Sequence, residues 1–289
     1  MIRTFLFVLI GLICQVADAQ RTDRKLQKAI QPMISHYGGD IGIFIKNLRT
    51  GKVAAFNADT IFPTASIVKL PIFLGITDRM NRGELAYDSS FIYKDSLLYD
   101  GADILGSFKD GGKISLKKLI MLMLTTSDNT ASLWLQSLAG TGTRINSLLD
   151  SLGFVHTRVN SRTPGRENNR TQYGWGQTTP REMGTLLEKI YNRELFSEAS
   201  CERMLRCLGR NFWDENEAIS QIPPTVEVFS KNGCVNASRS EVMIVNAPGN
   251  PFVFCIFTKN NTDTSWKREN EAWTLARKLA AYLWNYFKS

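Results

Sequence analysis

The sequence predicts an α+β protein: one sheet assembled from both ends of the chain, with a helical domain inserted between them. Three observations carry this. Strand-like runs, IGIFIKNL and KVAAFN, occur near the start, and others, VEVFSKNG, EVMIVNA and FVFCIFTK, near the end. Between them, from residue 64 to about 210, apolar residues recur at helical spacing. The chain closes on a helical run, SWKRENEAWTLARKLAAYLWNYF, which together with an early one can cover a face of the sheet.

Taken in order, residues 1–19 carry one cation, the apolar run FLFVLIGLIC and the small-residue end Ala17-Asp18-Ala19, the pattern of a signal peptide cut before Gln20. Its apolar core of about ten residues is short of the roughly 20 a spanning helix needs. Lipid attachment at Cys14 is the alternative, disfavoured by the bulk of Ile13. RKLQKAIQPMISHYG then reads as a helix stopped by Gly38-Gly39, and Arg49-Thr50-Gly51 as the turn of a hairpin. Helices are expected over SIVKLPIFLGITDRM, SLKKLIMLMLTTS, NTASLWLQSLA, RINSLLDSLG and REMGTLLEKIYN; Ile222-Pro223-Pro224 breaks the pattern before strands return. The implied organisation is a sheet-containing domain over 20–62 and 212–289 around an all-helical domain over 63–211.

The net charge of +8 suits anionic partners, although solubility alone accounts for it more simply, and no Lys/Arg block interleaved with aromatics suggests a nucleic-acid groove. Past the leader, Cys201, Cys207, Cys234 and Cys255 are too sparse for a disulfide scaffold and allow three pairings. With no C-x-x-C and with His36 and His156 isolated, neither a metal nor another cofactor is expected.

The chemistry-bearing residues lie in three short stretches. In PTASIVKLP, Ser66 and Lys69 stand three apart at a predicted helix start, on one face. A serine hydroxyl needs a base, and an amine held among other cations can serve once its pKa is lowered; backbone N–H groups of the helix start suit an oxyanion. S-x-x-K recurs at Ser115 and Lys118, where Ser115 reads as a helix cap, so spacing alone is weak. Ser127-Asp128-Asn129 is rarer and lies between two helices; a plain capping role is its bland alternative. Lys231-Asn232-Gly233 ends a strand-like run, although K-x-G also occurs at Lys109.

In this order the three stretches resemble the class A β-lactamases and the penicillin-binding D,D-peptidases, whose signature is S-x-x-K, S-D-N and K-[ST]-G. The resemblance implies an antiparallel sheet flanked by helices, an α/β/α sandwich packed on an all-helical domain, with the site in the cleft. It implies Ser66 as acylated nucleophile, Lys69 as proton acceptor, Ser127 as proton relay to the leaving nitrogen and Asn129 as a ligand of the acyl side chain. Lys231 would hold Ser127 and the substrate carboxylate electrostatically, and the N–H groups of Ser66 and of Cys234, just past Gly233, would form the oxyanion hole. Arg239 is a further carboxylate-binding candidate, with a surface arginine as its alternative. The ligand would be a β-lactam or a D-Ala-D-Ala peptide, acted on by a secreted or periplasmic monomer that is not held in a membrane.

Two departures from the family pattern stand out. Asn232 replaces Thr or Ser; it can donate to a carboxylate but cannot relay a proton. In SRTPGRENNRTQYGWGQTTP the family's deacylating glutamate falls on Thr163 and its asparagine on Glu167, while Gly176 removes the aspartate of a loop salt bridge. Three readings follow: a β-lactamase in which Glu167 is a relocated base, a D,D-peptidase in which Glu167 is a loop charge, or a non-turnover sensor. The first is the one adopted from sequence.

Overall fold

The computed structural model describes residues 21–99, 103–209 and 211–288; the proposed leader lies outside them. The chain begins with helix α1 (Arg24–Ile34), whose N-cap Asp23 accepts from the Leu26 N–H and which buries Leu26, Ile30 and Ile34 on one stripe. Strands β1 (Asp40–Asn47) and β2 (Val53–Phe56) form the expected hairpin, with Gly51 supplying the positive φ of the turn. After the short β3 (Phe62–Pro63) a 3₁₀ turn, Ala65–Val68, leads into α2 (Lys69–Asn81).

A two-stranded ribbon follows, β4 (Ser90–Ile92) with β5 (Lys113–Ser115), then α3 (Leu116–Thr125), α4 (Asn129–Leu138) and α5 (Thr141–Ser151). Strands β6 (Arg158–Val159) and β7 (Gly176–Thr178) bracket a short helix, α6 (Glu167–Tyr173). Helices α7 (Pro180–Tyr191) and α8 (Glu198–Leu208) complete the helical region. The long strands β8 (Val228–Val235), β9 (Ser238–Val245) and β10 (Phe252–Lys259) then return, and α9 (Glu271–Phe287) closes the chain.

The main sheet is five-stranded, in the order β2-β1-β10-β9-β8, and every pairing is antiparallel. Joining β1 to β10, with Asp40 opposite Lys259, unites the two ends of the chain as the sequence implies. Side chains alternate along each strand. Ile43, Ile45, Met243, Phe254 and Ile256 pack with Leu26 of α1 and Leu279 and Leu283 of α9. Their neighbours Phe44, Val242, Val253, Cys255 and Phe257 belong to a second cluster, which continues into Ile72 of α2, Leu135 of α4 and Leu187 of α7. Both sheet faces are therefore covered, the α/β/α sandwich expected, and the inner face merges with the helical region's core.

Two local expectations need correction. Ser115 sits at the N-cap of α3 but makes no capping bond, and its buried hydroxyl has no partner. The closing helix begins only at Glu271, capped by Asn270, because the preceding SWKREN segment is irregular. Cys201, Cys207, Cys234 and Cys255, whose pairing the sequence leaves open, are free thiols.

Candidate active site

Ser66 lies in the 3₁₀ turn and Lys69 is the first residue of α2, so the expected three-residue spacing holds across a change of helix type. Lys69 is fully buried. Its Nζ lies 3.1 Å from Ser66 Oγ, 3.0 Å from Ser127 Oγ and 2.9 Å from Asn129 Oδ1, and it also donates to the Ser127 carbonyl. One amine thus gathers the polar atoms of two sequence motifs 60 residues apart. Burial, reinforced by the charge of Lys231, pushes its pKa well below the ordinary lysine value.

The second motif is positioned by its aspartate. Asp128 caps α4 by accepting from Ala131 N at 2.7 Å and also takes the Leu105 N–H at 2.8 Å. The capping role considered for this stretch thus belongs to Asp128, which leaves Ser127 and Asn129 free to reach Lys69. Ala65 and Ser127 hold φ values of 43° and 60°, in the left-handed region that non-glycine residues seldom adopt. Such local strain persists only where its surroundings enforce it, and here it falls at the two turns that present hydroxyls.

The third motif comes from β8, an edge strand of the main sheet. A Cβ on Gly233 would lie 2.5 Å from the Thr64 carbonyl oxygen and 2.9 Å from Ser66 N. Only glycine lets this strand approach the Ser66 turn so closely. Lys231 is fully buried, and burial lowers its pKa to about 8. Its Nζ donates to the Asn232 carbonyl at 2.9 Å and to Asn232 Oδ1 at 3.1 Å.

Two cavities of about 540 Å³ each meet at Ser66 and Cys234. One is lined by Asn129, Tyr99 and the loop residues Gln172 to Trp175; Tyr99 and Trp175 meet edge to face with centroids 5.1 Å apart. The other is lined by Ser127, Asn232, Gly233, Glu217 and the aromatics Phe212, Trp213, Trp266 and Trp273. Sequence reasoning missed these walls. Aromatics standing in otherwise polar loops were the available signal, because such residues are exposed at a cost unless they contact something.

Three candidates are placed otherwise than expected. Glu167 is exposed in the first turn of α6 and accepts from the Gly165 N–H at 3.1 Å; neither cavity at Ser66 is lined by it. The helix it starts turns its carboxylate outward, and the part of the loop that reaches the cleft lies five residues on. Thr163 is buried, donates to the Ser161 carbonyl at 2.9 Å and fills the notch left by Gly142 of α5. The loop is held instead by Arg166, which donates to Asn160 Oδ1 at 3.0 Å and Gln177 Oε1 at 2.8 Å.

Arg239 is not a free carboxylate ligand. It is buried, its guanidinium lies 4.2 Å from the Trp266 ring centroid and 4.9 Å from that of Trp273, and its terminal nitrogens donate to the carbonyls of Val235, Asn236, Ser238 and Ser265. Asn232 lines a cavity, but its amide protons are used within the protein: Nδ2 donates to Trp213 O at 3.0 Å and to Glu217 Oε1 at 2.9 Å. Among the described residues no group of histidines, cysteines and carboxylates is arranged to hold a metal ion.

A serine and a buried lysine at a helix start, a second hydroxyl from an interhelical turn and a lysine on an edge strand define an acylating serine hydrolase site. The sequence profile of the "Beta-lactamase enzyme family" matches residues 25–287, and the chain belongs to that family. It is 22% identical to the β-lactamase VEB-1 of Pseudomonas aeruginosa, over 99% of this chain and 98% of that one. A Bacteroides uniformis β-lactamase is 24% identical over 69% of this chain and 68% of its own. Among solved structures, a point variant of PBP-A, an acyl-enzyme complex with penicillin G, superposes with a TM-score of 0.81 at 22% identity, covering 93% of this chain and 98% of that one. The TLA-1 extended-spectrum β-lactamase gives 0.82 at 16%, covering 92% and 99%. The chain is a class A β-lactamase-like serine hydrolase.

Proposed function

We propose that the protein opens β-lactam rings outside the cytoplasm through an acyl-enzyme on Ser66. The observation that carries this is the buried Lys69 amine, whose Nζ lies within 3.1 Å of both Ser66 Oγ and Ser127 Oγ. With its pKa lowered, Lys69 is available in the neutral form and accepts the Ser66 proton as Oγ attacks the lactam carbonyl. The N–H groups of Ser66 and Cys234, residues that line both cavities, stabilise the oxyanion. Collapse of the tetrahedral intermediate breaks the C–N bond, and the nitrogen takes its proton from Ser127 Oγ, which Lys69 resupplies. Asn129 faces the acyl side chain in one cavity, and the leaving half occupies the other.

The two halves of the cycle are unequally equipped. Acylation has its full set of groups, whereas the loop carries Thr163 at the family's base position and points Glu167 to solvent. That observation favours a second reading, a penicillin-inhibited D,D-peptidase. Turnover of a chromogenic cephalosporin, run beside D-Ala release from a stem-peptide mimic, separates the two. Ser66→Ala should abolish the mass increment left by penicillin; an increment that survived would refute the nucleophile.

A further inference from the structure

The third motif of this chain is held by a carboxylate that also lines the cavity beside Ser127. Glu217 precedes a short 3₁₀ turn, Ala218–Gln221, and is buried. Its Oε1 accepts from Asn232 Nδ2 at 2.9 Å and its Oε2 from the Asn216 N–H at 3.1 Å. Asn232 Oδ1 in turn accepts from Lys231 Nζ at 3.1 Å. The orientation of the Asn232 carboxamide is dictated by its neighbours: an ammonium only donates, while a carboxylate and the Trp213 carbonyl only accept. Both amide protons are thereby used within the protein, and the amide oxygen is presented to the lysine.

We propose that Glu217 is a positioning residue for acylation, acting through Asn232 to hold the Lys231 ammonium in place and in its charged form. The proposal rests on the acyl-enzyme reading for its catalytic consequence. Position 232 then contributes no donor to the substrate, and Lys231, fully buried, acts on a substrate carboxylate only through its charge. Without its link, Lys231 would be a buried cation near a second lysine, an arrangement that favours loss of its proton. The charged or titratable groups acting on it are Lys69 at the start of α2, Cys234 on its own strand, Glu241 on β9 and Glu217. Glu241 accepts from the Ala218 and Ile219 N–H groups, and burial and the neighbouring Glu217 push its pKa up to about 8. Burial raises the pKa of Glu217 as well, against its hydrogen bonds from Asn232 and Asn216, and its charge acts to keep the proton on Lys231.

The test compares wild type, Glu217→Gln, Asn232→Ala and the double variant. The rate of acylation by a fluorescent penicillin is measured across pH. In the wild type the alkaline limb reports Lys231 losing its proton. In Glu217→Gln it moves to lower pH by about half a unit, so the rate at high pH falls about threefold beyond any change at low pH. Asn232→Ala shows the same bias, and adding Glu217→Gln to it produces little further change. An equal loss at every pH, or full additivity, overturns the proposal. Lysine-selective ¹³C NMR, with the Lys231 signal identified by its absence in Lys231→Met, follows the same titration without substrate. A midpoint unmoved by Glu217→Gln refutes the proposal even if no penicillin reacts, whereas failure of the wild type to label counts against the acyl-enzyme reading.

Discussion

Glu241→Gln should flatten the loss of stability between mild acid and mild alkali. Glu241 is 2% exposed, and burial raises its pKa from an ordinary 4.5 to about 8. A folded-state pKa above the unfolded one means that the folded protein binds the extra proton. The stability this gives is complete below pH 4.5, declines as pH rises and is gone above about 8. At about 1.4 kcal/mol per pH unit, the interval corresponds to a ceiling of roughly 5 kcal/mol, and relaxation of the site reduces the observable effect to a few kcal/mol.

Glutamine matches the acid in shape and cannot ionise, so the variant stays neutral at every pH, although its amide N–H groups face one of the two backbone donors that Glu241 accepts from. Urea unfolding at about pH 5 and about pH 8.5 supplies the comparison. Glu217, also raised by burial, contributes a slope of the same sign that persists in the variant. The wild type should therefore lose more stability over the interval than the variant does. Parallel losses, or a variant weakened equally at both pH values, would refute the account of this buried acid.

Other outcomes follow from the geometry. Gly233→Ala forces β8 away from the Thr64 carbonyl and should cost about 1–3 kcal/mol in stability. Because a displacement of about 1 Å at reacting groups costs roughly 100-fold, its penicillin acylation rate should fall by about that factor, as read by stopped-flow labelling. Glu167→Gln should leave both acylation and decay of the acyl-enzyme within about twofold of wild type; slowed decay seen by mass spectrometry would restore this residue as a base. Thr163→Glu, which returns a carboxylate to the family position, should shorten the acyl-enzyme lifetime if the side chain clears Gly142, a change the same assay detects.

Long elements were readable because their burial is periodic. β10 matches FVFCIFTK residue for residue, since alternate side chains feed two cores and both sets are apolar. The helix of EASCERMLRCL, α8, escaped notice because cysteines and arginines blur its stripe, although Cys201, Met204, Leu205 and Leu208 lie buried along it. Strands of two or three residues, such as β3 and β6, are created by their partners and have no period of their own. At the site, Ser66, Lys69, Ser127, Asn129 and Lys231 stood out by motif.

The fates of Glu167, Asn232 and Arg239 depended on neighbours remote in sequence or on local turns. Arg239 is claimed by two tryptophans and four carbonyls, and Asn232 by a carboxylate 15 residues away. Glu167 is turned outward by a helix too short and polar to be recognised from its pattern.

The close approach of Gly233 to the Ser66 turn also has a bearing on how the molecule comes into being. The turn is braced by Gly176 through the Thr64 N–H, and by the final third of the chain through β8. The sheet that carries β8 is itself closed only when β10 has paired with β1, more than 200 residues earlier. Contacts of such long sequence separation form late and slowly. A chain in which β8 and β10 are not yet in place therefore lacks one wall around Ser66, although Ser66, Lys69 and Ser127 have all been synthesised.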